Sequence, residues 1–192
     1  MIYCVDLDGT LISNDMSVTS FFETILKKPQ LIPACYRWHH EGGRARLKYN
    51  IGEIYNVDIS RLKFNLELID YLKELAENPD NSIYLVSGST QSIVSKIASY
   101  FSFFKEGFGS SIDVNLTGKN KLALIKKYFG VSDVCYIGNA RVDLKVWEGT
   151  HSGIVVSNCG SFISSAKKVT RIEKVFKGRF AHLNQEDISN KG

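Results

Sequence analysis

Four short apolar runs punctuate the chain, and each stops at small or polar residues. Ile2-Tyr3-Cys4-Val5 runs into Asp6, and Ser82-Ile83-Tyr84-Leu85-Val86 runs into Ser87-Gly88. Asp133-Val134-Cys135-Tyr136-Ile137 ends at Gly138-Asn139, and Ser152-Gly153-Ile154-Val155-Val156 ends at Ser157-Asn158. The first three carry few charges, as expected of strands buried on both faces of a parallel sheet. Between the runs the apolar spacing lengthens to three and four. Leu66, Ile69, Leu72 and Leu75 predict a helix that Asn78-Pro79-Asp80-Asn81 stops. Ile93, Val94 and Ile97 predict a second, and Leu124, Ile125, Tyr128 and Phe129 a third, closed by Gly130. Residues 162–176 read as a last helix. Strands alternating with helices mean βαβ units and an open parallel α/β sheet, in which ligands bind at the C-terminal strand ends.

Residues 13–61 break the alternation. No strong strand is legible there. Val18, Phe21, Phe22, Ile25 and Leu26 form an amphipathic helical pattern, and residues 36–40 and 44–51 look helical or turn-linked around Gly42-Gly43. The pattern predicts a small helical cap over residues 13–61, inserted into a core of residues 1–12 and 62–192. The polar tail at residues 184–192 is expected to fray.

Composition narrows the function classes. With 192 residues, 44% of them hydrophobic, the chain is long enough for one sizeable core and too apolar for global disorder. The net charge of +4 is too small to argue for a nucleic-acid partner or a membrane surface. No apolar run approaches the roughly 20 residues of a spanning helix, so no membrane insertion is expected. The start of the chain lacks the basic and apolar regions of a signal peptide. Four separated cysteines without a C-x-x-C pair suit a reducing, cytoplasmic setting. Composition leaves the oligomeric state open.

The polar strand ends carry the candidate chemistry. In Val5-Asp6-Leu7-Asp8-Gly9-Thr10-Leu11, two carboxylates two residues apart end a buried strand. Such carboxylates are costly unless paired or metal-bound. The segment resembles the nucleophile motif of the haloacid dehalogenase (HAD) superfamily, mostly phosphatases with a Rossmann-like core. The resemblance implies that Asp6 attacks phosphorus and that Asp8 protonates the leaving group and then activates water. It assigns Ser87 and Gly88, with Thr10, to phosphate binding. It asks for a Lys at a helix entry, to neutralise nucleophile and phosphate. Lys119 and Lys121 both qualify, and the spacing to Leu124, Ile125, Tyr128 and Phe129 favours Lys121. The last motif is an acidic pair for Mg²⁺. Here it is Gly138-Asn139-Ala140-Arg141-Val142-Asp143, with an amide where the first acid is expected. Asn139 can still offer an oxygen to a hard cation, without a charge. The implied metal set is Asp6, Asp8, Asn139 and Asp143.

A closer likeness runs through residues 5–12, Gly-Arg-Ala-Arg-Leu-Lys at 43–48, Asn-Leu-Thr-Gly-Lys-Asn-Lys at 115–121, and Asp-Leu-Lys-Val-Trp at 143–147. It is similar to the HAD-like domain fused ahead of some UbiA-type membrane prenyltransferases, and it implies no prenyl transfer. Arg44 and Lys48 lie four apart, share a helix face, and would suit an anionic group on the substrate, while Arg46 points elsewhere. His39-His40 has no ligand cluster around it and reads as surface or cap packing. The expected function is Mg²⁺-dependent hydrolysis of a small phosphorylated metabolite through a phospho-aspartate. Two alternatives stay open. One is a phosphotransferase. The other is a non-catalytic or regulatory module that binds phosphate or protein, which Asn139 favours and the retained Asp6-Asp8 pair disfavours.

Overall fold

A computed structural model describes residues 1–183, so the polar tail at 184–192 lies outside the described residues. Six parallel strands form the central sheet. They are β1 (Ile2–Val5), β3 (Ser82–Thr90), β4 (Phe104–Ser110), β5 (Val134–Gly138), β6 (Ser152–Val156) and β7 (Ile172–Phe176). Their order is β4-β3-β1-β5-β6-β7, so the chain starts in the middle, builds one side, and crosses over to build the other. The strand order therefore reverses at β1, and the crevice for a ligand opens at its C-terminal end. Val5 stands in register with both Leu85 and Ile137, which sets Asp6 flush with the ends of both neighbouring strands.

The pleat sends alternate residues to two cores. Tyr3 and Val5 of β1, with Cys135 and Ile137 of β5, pack against α3 (Leu66–Ala76) and α4 (Gln91–Ala98). Cys4 and Tyr136 point the other way. They meet α5 (Gly118–Phe129), α6 (Leu144–Trp147) and α7 (Gly160–Val169) through Ile125, Trp147 and Ala166. Asp6 has the parity of Cys4, so its side chain is delivered to the α5 face.

Two sheet strands lie outside the sequence reading. The segment 162–176, expected to be one helix, ends its helix at Val169 and turns into β7. β4 had no apolar run to announce it. Both are edge strands, and both carry exposed charges, Lys105 and Glu106 in one and Glu173 and Lys174 in the other. Charged edges blunt edge-to-edge pairing and erase the buried-strand signature. A further pair, β2 (Lys63–Phe64) with β8 (Ala181–His182), forms a two-stranded antiparallel patch.

Between β1 and β2 the chain forms α1 (Met16–Lys27) and α2 (Ile32–Ile54), which pack on each other and against β3. The helix α1 starts where Asp15 accepts hydrogen bonds from the Ser17 and Val18 N–H groups. α2 is broken at Gly42-Gly43, where Gly43 takes φ +62°, a conformation L side chains avoid. The break turns residues 44–54 back across the strand ends. No helix among the described residues is long and apolar enough to cross a membrane.

Candidate active site

The turn after β1 is held by its own backbone. The N–H groups of Thr10, Leu11 and Ile12 all donate to the Leu7 carbonyl, and Gly9 N–H donates to Ile12. Gly9 adopts φ +74° with the Asn139 amide so close that a Cβ would collide with it. Glycine is thus required twice over, for the turn and for the approach of β5.

Asp6 is buried, and Lys121 Nζ lies 2.7 Å from its Oδ1. Lys121 sits in the first turn of α5 and reaches down into the sheet, whereas Lys119 is exposed. Lys121 Nζ also donates to Tyr136 Oη at 2.6 Å, and Tyr136 donates to Asp143 Oδ1 at 2.8 Å. Asp143 Oδ2 accepts from the backbone N–H groups of Asn139 and Ala140 at 3.0 and 2.9 Å. One cation thus neutralises two carboxylates, with Asp143 Oδ1 3.9 Å from Lys121. Burial pushes the Asp6 carboxyl up, against the pull of Lys121 and with the push of Asp143 and Asp8. Burial and the same two carboxylates, Asp143 and Asp6, hold the Tyr136 phenol far above its ordinary range, so it stays a hydrogen-bond donor.

Asp8 faces the cap. Its Oδ1 accepts from Met16 N–H at 2.7 Å, and its Oδ2 from Ser89 Oγ at 2.8 Å and Ser87 Oγ at 3.4 Å. Burial raises the Asp8 carboxyl, while the Met16 and Ser89 hydrogen bonds pull it down. Ser87 Oγ accepts from Ser89 N–H, and the Gly88 carbonyl accepts from Ser110 Oγ and from Lys48 Nζ of the cap. Thr10 Oγ1 and Asn139 Oδ1 are buried without a hydrogen-bond partner among the described residues. Arg44 and Lys48 both line a cavity between the cap and the strand ends, and Arg46 pairs instead with Glu41. Burial lowers the Lys48 ammonium, Asp8 and Asp15 raise it, and nearby Arg44 lowers it.

The structure therefore brings Asp6, Asp8, Ser87, Lys121, Asn139 and Asp143 to one end of the sheet. It also adds two residues the sequence reading passed over. Ser89 makes the shorter serine contact to Asp8, and only the extension of β3 past Gly88 reveals it. Tyr136 looked like one more apolar strand residue. Its signal was a phenol within an uninterrupted buried run, since a buried tyrosine hydroxyl finds a partner.

Divalent cations such as Mg²⁺ ask for oxygen donors. Both oxygens of Asp8 and both of Asp143 are engaged as described. Asp6 meets Lys121 through Oδ1 alone and Asn139 Oδ1 is orphaned, so these two are the least engaged donors of the four expected, while the oxygens of Asp8 and Asp143 keep further lone pairs. Among the described residues, no cluster of three or more His, Cys, Asp or Glu side chains forms a self-contained metal cage.

The fold has solved counterparts. A predicted phosphatase from Clostridium acetobutylicum superposes with a TM-score of 0.62 at 15% identity, over 91% of this chain and 93% of its own. A HAD-family hydrolase from Salmonella enterica serovar Typhi gives 0.61 at 13% identity, over 91% of this chain and 66% of its own. A substrate-bound phosphoserine phosphatase gives 0.57 at 16% identity, over 91% of each chain. These likenesses establish the HAD-type Rossmann-like fold. In sequence, the chain is 29% identical over 164 residues to the uncharacterized protein y4nM of Sinorhizobium fredii. That match takes in 85% of this chain and 31% of y4nM, so the chain spans about a third of its relative. No family model matches the chain.

Proposed function

We propose that this protein is a HAD-type phosphatase that hydrolyses phosphomonoesters through a phospho-aspartate on Asp6. The observation that carries the reading is the buried Asp6–Lys121 pair at the C-terminal end of the central strand, with a second carboxylate two residues on. An Asp6 oxygen attacks phosphorus, and the bond to the ester oxygen breaks. Asp8 gives its proton to the departing alkoxide. Water then attacks phosphorus and gives a proton to Asp8, the bond from phosphorus to the Asp6 oxygen breaks, and inorganic phosphate leaves with the Asp6 carboxylate restored. Covalent catalysis divides one difficult displacement into two easier ones. Burial of the Asp8 carboxyl favours its protonated form, as the first step requires. Lys121 pairs with the attacking carboxylate and places positive charge where the phosphoryl oxygens gather it. Ser87 or Ser89, and Thr10 with its unspent hydroxyl, supply donors to those oxygens.

Asp6 and Asn139 would hold a Mg²⁺ ion, completed by water and substrate phosphate, as this cation usually is. Bound there, the ion would add Lewis-acid stabilisation of the phosphoryl charge. Tyr136 and Asp143 orient Lys121 and the Asn139 loop. Arg44 and Lys48 draw the anionic substrate under the cap. The stretches at 43–48 and 115–121 support a finer kinship, with the HAD-like unit that accompanies UbiA-type prenyltransferases.

The test is phosphate release from a panel of phosphomonoesters with Mg²⁺. Asp6→Asn should lower turnover by at least about a thousandfold, given what covalent nucleophiles contribute. It should lower stability yet leave the fold intact, because Lys121 keeps Asp143 as a charge partner and no core volume is lost. Wild-type rates in Asp6→Asn would refute the covalent mechanism.

A further inference from the structure

We propose that the esters taken by this site carry an apolar body, seated in the cavity between α1 and the second half of α2. The proposal rests on the phosphatase reading above and specifies its substrate class. The cavity measures about 710 Å³, a size that encloses a whole small-molecule ligand. In the phosphatase reading a phosphate and its metal would sit at the strand ends beside Asp6, which leaves this volume to whatever the phosphate is attached to. The walls decide what that is. From α1 come Val18, Phe21 and Phe22, and from α2 come Leu47 and Ile51. Val18 and Phe22 are 52% and 61% exposed, an unusual expense for large apolar side chains turned towards one another's cavity. Against these five side chains the hydroxyl or charged groups of a sugar or amino-acid phosphate would find no partners, whereas an alkyl chain would bury apolar surface.

Polar groups line the rest of the cavity: Asp15 and Ser17 at the start of α1, Arg44 and Lys48 on α2, and Ser110 and Asn115 towards the strand ends. Lys48 reaches Gly88 O and Asn115 Oδ1 from the cap and feels the charges of Asp8 and Asp15. Arg44 lies beside it on the same face. The two cations would attract the anionic head, and Lys48, which feels the Asp8 charge, marks the side of the cavity towards that carboxylate. Asp6 does not line the cavity, which extends towards β3 and β4, where Thr90 and Ser110 form its floor. The head therefore lies over β1, and the body runs sideways beneath the cap. The occupant is a phosphorylated amphiphile, such as the monoester of a medium- or long-chain alcohol.

The experiment uses a series of n-alkyl phosphates from ethyl to decyl, each below its micelle concentration. Binding is measured by calorimetry on Asp6→Asn, and turnover with Mg²⁺ on the wild type. Kd should fall roughly two- to fourfold per added methylene until the cavity fills, the yield expected for burying each CH₂. In the wild type, kcat/KM should rise in parallel. Phe22→Ser and Val18→Ser, at exposed positions that do not hold the core, should flatten the slope. Leu26→Ser, on α1 but outside the cavity, should leave it unchanged. A Kd independent of chain length, or a slope that survives Phe22→Ser and Val18→Ser, would overturn the proposal. A Kd slope in Asp6→Asn without phosphate release by the wild type would uphold the amphiphile site and refute the phosphatase reading. Release of equal efficiency from every ester, with a flat Kd, would do the reverse.

Discussion

The floor and the roof of this site are built on opposite terms. The floor is the set of strand ends and the start of α5. Its charged groups, Asp6, Lys121 and Asp143, are buried and joined through Tyr136 by hydrogen bonds of 2.6 to 2.8 Å. The roof is α1 and the kinked α2, with exposed aromatic and basic side chains and a few polar latches, among them Lys48 on the Gly88 carbonyl and Ser92 on the Gly52 carbonyl. A low-dielectric network is strong when complete and costly when a member is lost. An amphipathic helix pair over a cavity can change its side chains at little cost to the core. Chemistry that must not vary is thus placed where substitution is most expensive, and recognition where it is cheapest. Asp8 joins the two, since the carboxylate proposed as acid also accepts the first N–H of α1. A shift of the roof would be felt at the proton donor.

The harshest break in this contrast is Lys121→Met. It leaves Asp6 and Asp143 buried without their shared cation, which should cost about 3–5 kcal/mol of stability. Turnover of the folded fraction should fall roughly a hundred- to a thousandfold. Denaturant midpoints and single-turnover rates give the two numbers separately. Unchanged stability would mean that the network is not the keystone of the floor.

Asn139→Asp sharpens the floor instead of breaking it. A unit charge placed about 4 Å from a cation is worth on the order of a few kcal/mol at ε ~20, before hydration offsets it. Mg²⁺ should bind roughly ten- to a hundredfold more tightly, and the thermal midpoint should rise with added Mg²⁺ more steeply than in the wild type. Unaltered Mg²⁺ dependence would remove Asn139 from the ligand set. Tyr136→Phe is milder. It deletes one hydroxyl that links Lys121 to Asp143, at about 1–3 kcal/mol of stability. As a positioning residue, Tyr136 should act on kcat, by about tenfold, with KM nearly constant. An equal change in both would assign it a plain packing role.

Much of the floor was legible in the chain, and the reason is physical. Polar side chains at the ends of apolar strands have few structural excuses, so Asp6, Ser87 and Asn139 announce themselves. Periodicity favoured Lys121 over Lys119 without deciding between them, and the structure buries the first and exposes the second. Tyr136 was not legible, because its importance depends on which sheet face meets α5, a fact of topology. Ser89 was hidden by the apparent end of β3 at Gly88. The edge strands β4 and β7 escaped because solubility puts Lys and Glu on strand edges, and the buried-strand pattern then disappears. In the roof, the amphipathic pattern of α1 and the break at Gly42-Gly43 were visible. The cavity beneath was not, since it exists only when the two helices face each other.

The smallest expected effects belong to the roof's cations, and they test whether the contrast is real. Arg44 is exposed and has no ion-pair partner among the described residues, so Arg44→Ala should change stability by no more than about 0.5 kcal/mol. Its work is attraction of an anion at long range, which salt weakens. KM for the preferred ester should rise two- to fivefold at low ionic strength, by roughly 1 kcal/mol or less, and the difference should shrink as salt is added. Lys48→Ala should raise KM similarly, but with less relief by salt, because Lys48 is half-buried and also fastens α2 to Gly88. Its loss should therefore lower stability by about 1 kcal/mol as well. A small aryl phosphate that does not fill the cavity should be hydrolysed by both variants at nearly the wild-type kcat. Steady-state kinetics at two salt concentrations resolve all of this. If Arg44→Ala lowers kcat on the small ester as strongly as on the large one, the roof takes part in chemistry, and the division between an invariant floor and an adjustable roof fails.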